Sequence, residues 1–536
     1  MSSLDYSNTL NVYKWSDHTE VNNFIGSVYE NYFNSGNPGI QKKHIKVVLL
    51  HLYVTWLDDP DLKTAYSRNV NDYKAGSRYN ALHISKKIIE IIDRLIEVGL
   101  VNHALGFIDH ETGVSRLSRM WPTNDLIKMF QDAKFGPFDV TDAPGRETII
   151  LRDVDSETGK KEEIEYEDTP DTLRMREMVE AYNDLLSRTF IDVPTLEMNR
   201  IELGQDTNGN QKFIHVNQRD KFTRRIFNRG SFDKGGRFFG GWWQRCPKEV
   251  RHQIFLNDHP ITEIDYSGLH IVILYANQGI NYWKEHKSDP YDLSKPNSIT
   301  NTFSPRDLCK QLLLVALNAK DDNSTFQAFR DEAETGSPEK HLTNNDLAEV
   351  LDALREKHDP ISNMIANDAG IDLMHQDSRI AELVIQHFTE KGIPILCIHD
   401  SFLVPFGLED ELHQTMTNAF SKITGTDGVQ LKQDTYDPRD DEPLDGNSAE
   451  HFSYQALELA LEAVTNPPRS ERYQRDMNQF SGWLWDNGKE PCDFAQAVKD
   501  ASSPVPRIFR DTLLASELDE IELLYSSQKS GGNKNS

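Results

Sequence analysis

Two short apolar runs that each end in an acidic residue constrain this chain more than anything else in it. They are ITEIDYSGLHIVILY at 261–275 and IPILCIHDSFLVP at 393–405. Each opens as a strand, and an aspartate at a buried strand end costs desolvation free energy unless something positive meets it. Two such strands side by side, with Asp265 on one and Asp400 on the other, would make a divalent-metal site. That geometry is what two-metal phosphoryl transfer needs. Hard oxygen ligands hold two Mg2+ ions, with Mn2+ as a substitute, about 3.5 to 4 Å apart, and the ions clamp the attacking and leaving oxygens. Between the two runs lie Arg306 and Lys310, at i and i+4 on one face of a helix expected to start at Ser304-Pro305 and run to about Ala319. Two cations on one face can address one triphosphate.

At 536 residues the chain is long enough for three or four domains. Its composition, 38% hydrophobic and 27% charged, excludes collagen, coiled coil and full disorder. The longest apolar stretches, Val47 to Leu57 and Ile271 to Ala276, fall short of the ~20 residues a membrane helix needs. The N-terminus has no basic start followed by an apolar run, so a cytoplasmic location is expected. Cys246, Cys309, Cys397 and Cys492 are too scattered for a zinc site or a disulfide framework and read as reduced, packed thiols. A net charge of −27 argues against a protein that coats nucleic acid nonspecifically. The charge is uneven, however. Lys212, Arg219, Lys221, Arg224, Arg225, Arg229, Lys234 and Arg237 face only Asp220 and Asp233 within one short stretch, whereas residues 431–536 carry 11 basic against 20 acidic residues. Any nucleic-acid contact is therefore expected to be local, unless this basic run is surface charge paired with the acidic C-terminal part.

Apolar residues at helical spacing predict helices over 44–57 and 83–102, with a polar, partly helical stretch at 61–82 between them. Two extended arms then meet at a turn-rich tip, Asp109 to Gly113. Helix, helix, helix and a basic-flanked hairpin is the order of a winged helix-turn-helix, which lays a helix in the DNA groove. The plainer alternative is a small helical domain for dimer or protein contacts. Residues 146–168 read as a charged, solvated hairpin insertion, and a helix is expected from about Thr172 to Thr189, after Pro170-Asp171. The expected domains are 1–130 (winged helix-turn-helix), 131–205 (hairpin insertion and thumb-like helix), 206–435 (palm and fingers) and 436–536 (a helical region with a disordered tail).

These residues resemble a known superfamily. Asp265-Tyr266-Ser267 is similar to motif A of family A DNA polymerases, Arg306-x-x-x-Lys310 to their fingers helix, and His399-Asp400 to motif C. Asp233-Lys234-Gly235-Gly236-Arg237, His375-Gln376-Asp377-Ser378 and the Asp400-Ser401-Phe402 ending of motif C are similar to elements of the phage-type single-subunit RNA polymerases. The stretch from Asp93 to Met129 resembles the winged-helix segment of plasmid-type replication initiators.

The resemblance implies an α+β right-hand palm and fingers behind a winged helix. Asp265 and Asp400 would ligate the catalytic metals, Lys310 and Arg306 would hold the incoming triphosphate, and Arg237 would touch the template or primer backbone. His399 and Gln376 would sit near the primer terminus. The departures fall at His270, where family A DNA polymerases carry glutamate, and at Leu314 and Asn318 on the fingers helix, where they carry aromatic residues. Those departures leave the choice of sugar open.

The expected activity is template-directed nucleotidyl transfer, with DNA synthesis for a mobile element preferred over an RNA polymerase or primase. The expected partners are a DNA template or primer-template and nucleoside triphosphates, with no membrane and an oligomeric state the residues do not specify. A different class also fits, a non-catalytic DNA-binding initiator with a polymerase-like scaffold. Taken singly the motifs have bland readings: Asp265 as a helix cap, His399-Asp400 as a strand-to-turn junction, Arg306 and Lys310 as a solvated helix face. Their joint occurrence in order favours the polymerase.

Overall fold

A computed structural model describes residues 4–33, 36–109, 114–156, 159–205, 211–293, 305–333 and 336–435. The expected helical region with a disordered tail at 436–536 lies outside the described residues.

The first quarter of the chain starts with strand β1 (Ser7–Thr9) and helices α1 (Thr19–Tyr32) and α2 (Pro38–Asp58). It continues with β2 (Lys63–Tyr66), α3 (Lys87–Glu97), β3 (Val101–Ala104) and β4 (Ser118–Pro122). The Asn37 side chain accepts from the Ile40 amide and Pro38 opens α2, so its start is set locally. Val21, Ile25 and Val28 of α1, the run from Ile45 to Val54 in α2 and Ile88, Ile91, Ile92 and Leu95 of α3 share one core. The sheet beside it has the order β1-β2-β4-β3. The polar stretch read as partly helical holds one 3-10 turn, Val70–Asp72, and also contributes β2, because Thr64, Ala65 and Tyr66 are buried between β1 and β4. The extended arms pair as expected, through β3 with β4 and Phe107–Ile108 with Ser115–Arg116. Their tip, 110–113, is outside the described residues.

A second sheet holds β5 (Ile149–Val154), β6 (Lys161–Glu163), β7 (Thr223–Asn228) and β8 (Ser231–Gly240), in the order β6-β5-β7-β8. The 146–168 hairpin forms, but it is not a solvated insertion. Ile149, Ile150 and Leu151 are buried where β5 pairs in parallel with β7, while the outer strand β6 and the end of β5, Asp153 and Val154, are exposed. Helix α4 (Pro170–Arg188) starts one turn from where the sequence puts it, capped by Thr169, and Tyr182 on it donates to the Ile395 carbonyl at 2.9 Å.

The third sheet is built around β9 (His259–Tyr266), followed by α5 (Leu269–Asn277). Helices α6 (Pro305–Asn318), α7 (Asp322–Glu332), α8 (Asn344–Lys357) and α9 (Gly370–Glu390) come next. The described chain then closes with β10 (Leu396–Ile398), β11 (Ser401–Pro405), α10 (Glu409–Thr424) and β12 (Leu431–Thr435). Strand β9 hydrogen-bonds antiparallel to β11 on one side and to β12 on the other. The architecture is mixed α and β, compatible with the α+β class. Among the described residues no helix is long and apolar enough to cross a membrane.

The first quarter, through Pro122, is docked on the rest by polar contacts. Arg78 pairs with Glu147 at 3.1 Å and Asp168 at 2.9 Å, Lys14 with Asp142 at 2.9 Å, and Arg219 with Asp58 at 2.7 Å.

Candidate active site

Side chains alternate along β9, so Glu263 and Asp265 share a face while Thr262 and Ile264 take the other. Asp265 lies opposite Ser401, the first residue of β11, and the Tyr266 amide donates to the Asp400 carbonyl at 3.4 Å. Ile398 pairs with Ser401, which leaves His399 and Asp400 as a two-residue turn between β10 and β11. His399 has a φ of 59°. A residue other than glycine is held in that left-handed region at about 1–2 kcal/mol. The turn sets Asp400 beside the end of β9, so the two aspartates, 135 positions apart by their numbers, are brought together.

Their electrostatics are unbalanced. Burial, then Asp400 and then Glu263 push the Asp265 carboxyl up to about 7, against the pull of Lys310 and Arg251. Burial and then Asp377 push Asp400 up as well, opposed by Arg237 and His270. The flanking acids have dedicated partners. Arg251 grips Glu263 at 2.9 and 2.8 Å, and the Ser401 hydroxyl donates to the same carboxylate. Arg237 donates from Nε to Asp377 at 2.8 Å, and the His270 ring stands 3.2 Å from the same oxygen. Among the described residues neither Asp265 nor Asp400 is in an ion pair. Like charges left without a counterion in a half-buried site are stabilised by a cation. No three His, Cys, Asp or Glu side chains form a complete cage among the described residues. Two carboxylates completed by substrate oxygens and water are nevertheless a usual way to hold Mg2+, so the donor set fits that ion.

Helix α6 brings Lys310 within electrostatic reach of this cluster. The charge of Lys310, an exposed side chain, is felt at Asp265. Arg306 donates to Asp289 at 2.9 Å, and its guanidinium lies 5.6 Å from the centre of the Tyr291 ring. Tyr291 is buried, and its hydroxyl is pushed far up by that burial and by Asp400 and Asp289, so it stands within the field of the carboxylates.

Arg237 emerges from β8 just after Gly235 and Gly236, whose φ values are 74° and 91°. A Cβ on Gly236 would come within 2.5 Å of the Phe227 ring, so only glycine allows this irregular pairing. The Arg237 side chain is 18% exposed and engaged by Asp377 and, at 3.0 Å, by His270. It is held in a network and not presented on an open face. The His399 imidazole is pushed down by burial and then by Arg237, packs 5.5 Å from Phe239, and leaves Nδ1 without a hydrogen bond among the described residues. Gln376 is half-buried on α9, next to Asp377.

Leu314 and Asn318 are not part of this cluster. They line a groove of about 660 Å³ with Arg229, Gln311, Lys320 and Asp368, and none of the clustered carboxylates reaches it. Asn318 donates to the Leu314 carbonyl at 2.8 Å and closes the end of its own helix.

Much of the basic run of 212–237 is paired within the fold. Arg225 is fully buried against Glu382 at 2.6 Å, Arg229 meets Asp368 at 2.6 Å, and Lys234 pairs with Asp372. Lys221, buried and pushed down to about 8 by that burial, donates to the Thr189 carbonyl at 2.7 Å. Four of the cations, including Arg237, pair with carboxylates on or just before α9. Sequence reasoning gave no role to Glu263, Arg251, Asp377 or Tyr291. Glu263 was within reach, two places before Asp265 on the same strand face. Arg251 and Tyr291 carry no local signal, since only folding makes them neighbours of the carboxylates.

No family model matches the chain, and no curated protein does. Among solved structures the chain is similar to the POL domain of Pol1 from M. smegmatis in complex with DNA primer-template and dNTP, at 13% identity and a TM-score of 0.26. The similarity covers 49% of this chain and 51% of that one, about half the length of each.

Proposed function

We propose that the chain is a template-directed nucleic-acid polymerase of the right-hand type, acting by two-metal phosphoryl transfer. The observation that carries the reading is the juxtaposition of Asp265 and Asp400, in no ion pair among the described residues, on adjoining strand ends, with the charge of Lys310 on α6 acting on Asp265. Carboxylates in no ion pair beside a lysine charge form the two halves of a site for a metal-bound polyanion.

In this reading Asp265 and Asp400 hold two Mg2+ ions, which when bound supply Lewis acidity and lower the pKa of the attacking 3′-hydroxyl. Lys310 and Arg306 neutralise the triphosphate and steady the departing pyrophosphate. Tyr291 stiffens the Arg306 guanidinium from below, so the cation is oriented before the nucleotide arrives. His399 and Gln376 flank the primer terminus, and Arg237 with His270 borders the nascent pair. Residues 1–130 form a winged helix that brings DNA to the enzyme, a reading supported by three helices and a paired hairpin that follow one another in the chain.

DNA synthesis for a mobile element is the preferred activity. An RNA polymerase or primase is the second reading, favoured by one observation. At position 270 there is an imidazole tied to Arg237 and Asp377 in place of a free carboxylate. The deciding experiment offers deoxyribonucleotides and ribonucleotides on primed and unprimed templates with Mg2+. Incorporation that disappears in Asp265→Asn and Asp400→Asn is the expected result, and the sugar used separates the two readings. A wild-type chain that binds DNA yet incorporates nothing would make it a non-catalytic initiator.

A further inference from the structure

The Arg237 network has a second property, and the inference drawn from it rests on the proposed metal site. Asp377 is 1% exposed, and all its recorded partners meet one oxygen, Oδ2, while Oδ1 is buried with no hydrogen-bond partner among the described residues. The His270 Nε2 atom stands 3.0 Å from an Arg237 nitrogen and 3.2 Å from Asp377 Oδ2. One ring nitrogen can accept from the guanidinium or donate to the carboxylate, not both, so the imidazole is a shared spacer and Asp377 is the group that fixes the arginine. Arg237 is also near enough to Asp400 for the two charges to influence each other. Two acids therefore compete for one buried guanidinium, and the geometry awards it to Asp377.

We propose that Asp377 is a positioning residue that keeps Arg237 off Asp400, so that Asp400 stays open to a divalent cation. A planar guanidinium pairs readily with a carboxylate in a half-buried site. Released from Asp377, Arg237 would turn to Asp400, fill the cation position with its own charge and become a competitive internal counterion. Asp377 thereby acts on the metal through the arginine, without touching the metal or the nucleotide.

The test is a double-mutant cycle on Mn2+ binding to the full chain without nucleotide or DNA, read from the free-Mn2+ paramagnetic resonance signal. Asp377→Asn should weaken Mn2+ binding about tenfold, equivalent to ~1.4 kcal/mol. The same change in an Arg237→Gln background should weaken it less than about threefold, because no competing cation remains. Equal losses in both backgrounds would mean that Asp377 contributes only its charge, and would overturn the proposal. So would unchanged binding in Asp377→Asn, or no saturable binding by wild type. Thermal melting identifies any variant that fails to fold. In that event Asp377→Glu, which keeps the charge and restores a grip on Arg237, must bind Mn2+ as wild type does, and a tenfold loss there would also overturn it. Mn2+ binding that follows this cycle and is lost in Asp265→Asn, in a chain that incorporates no nucleotide, would leave this inference standing while the polymerase reading falls.

Discussion

Asp265 shows how a site can be read as a cost. Its pKa of about 7 lies above the ordinary value of 3.8, so the folded chain binds that proton more tightly than the unfolded chain. The metal-free protein therefore loses stability as pH rises from about 4 through 7, and above 7 the full penalty applies. Asp265→Asn should melt higher than wild type above pH 7, by on the order of 2 kcal/mol, and the difference should vanish toward pH 4. Thermal denaturation across that range in a chelating buffer measures it. Mg2+ should stabilise wild type and leave Asp265→Asn unmoved. The two aspartates were legible because an acid closing an apolar strand is conspicuous wherever it stands. Tyr291 was not legible, since nothing in its own neighbourhood distinguishes it from a packed tyrosine.

At the scale of elements, the turn between β10 and β11 and the β7–β8 to α9 contact decide the site's shape. Gly268 caps α5 with a φ of 64°, and a Cβ there would approach the Pro290 ring to 2.8 Å. Gly268→Ala should cost about 1–3 kcal/mol, measured by denaturant unfolding. Glu382 pairs with the fully buried Arg225 and with Arg174, an exposed side chain. Glu382→Ala should destabilise by about 3–5 kcal/mol, because it leaves a buried guanidinium uncompensated. Arg174→Ala should cost less than about 1 kcal/mol. A similar loss in both variants would mean that the buried pair is not the anchor. Helical period and caps made α2, α3, α4 and α6 legible to within a turn or so at most ends. Strand β5 was misread as solvated because its flanks are charged, and its burial comes from a parallel partner 76 residues away, Ile149 beside Arg225. Periodicity inside one segment carries no trace of such a partner.

For the whole molecule, the first quarter of the chain is less separable than its sequence suggests. Arg78 reaches Glu147, Asp168 and the Tyr166 carbonyl, and the Tyr79 hydroxyl donates to the Ile164 carbonyl at 2.7 Å. Arg78→Ala should lower the melting temperature of the full chain, by the equivalent of about 1–3 kcal/mol, whereas a freely tethered module would leave it unchanged. The pairing of the 212–237 cations with α9 reaches further. A protein that has spent most of its arginines on its own carboxylates has few left to displace the ions condensed around a duplex. In the proposed reading, the grip on DNA should weaken only shallowly as salt is added, with a logarithmic slope nearer −3 than the roughly −10 of heavily basic binders. A polymerase built so would hold a template by shape and by the hydrogen bonds of the site, and would tolerate brine that strips an ordinary basic binder from DNA.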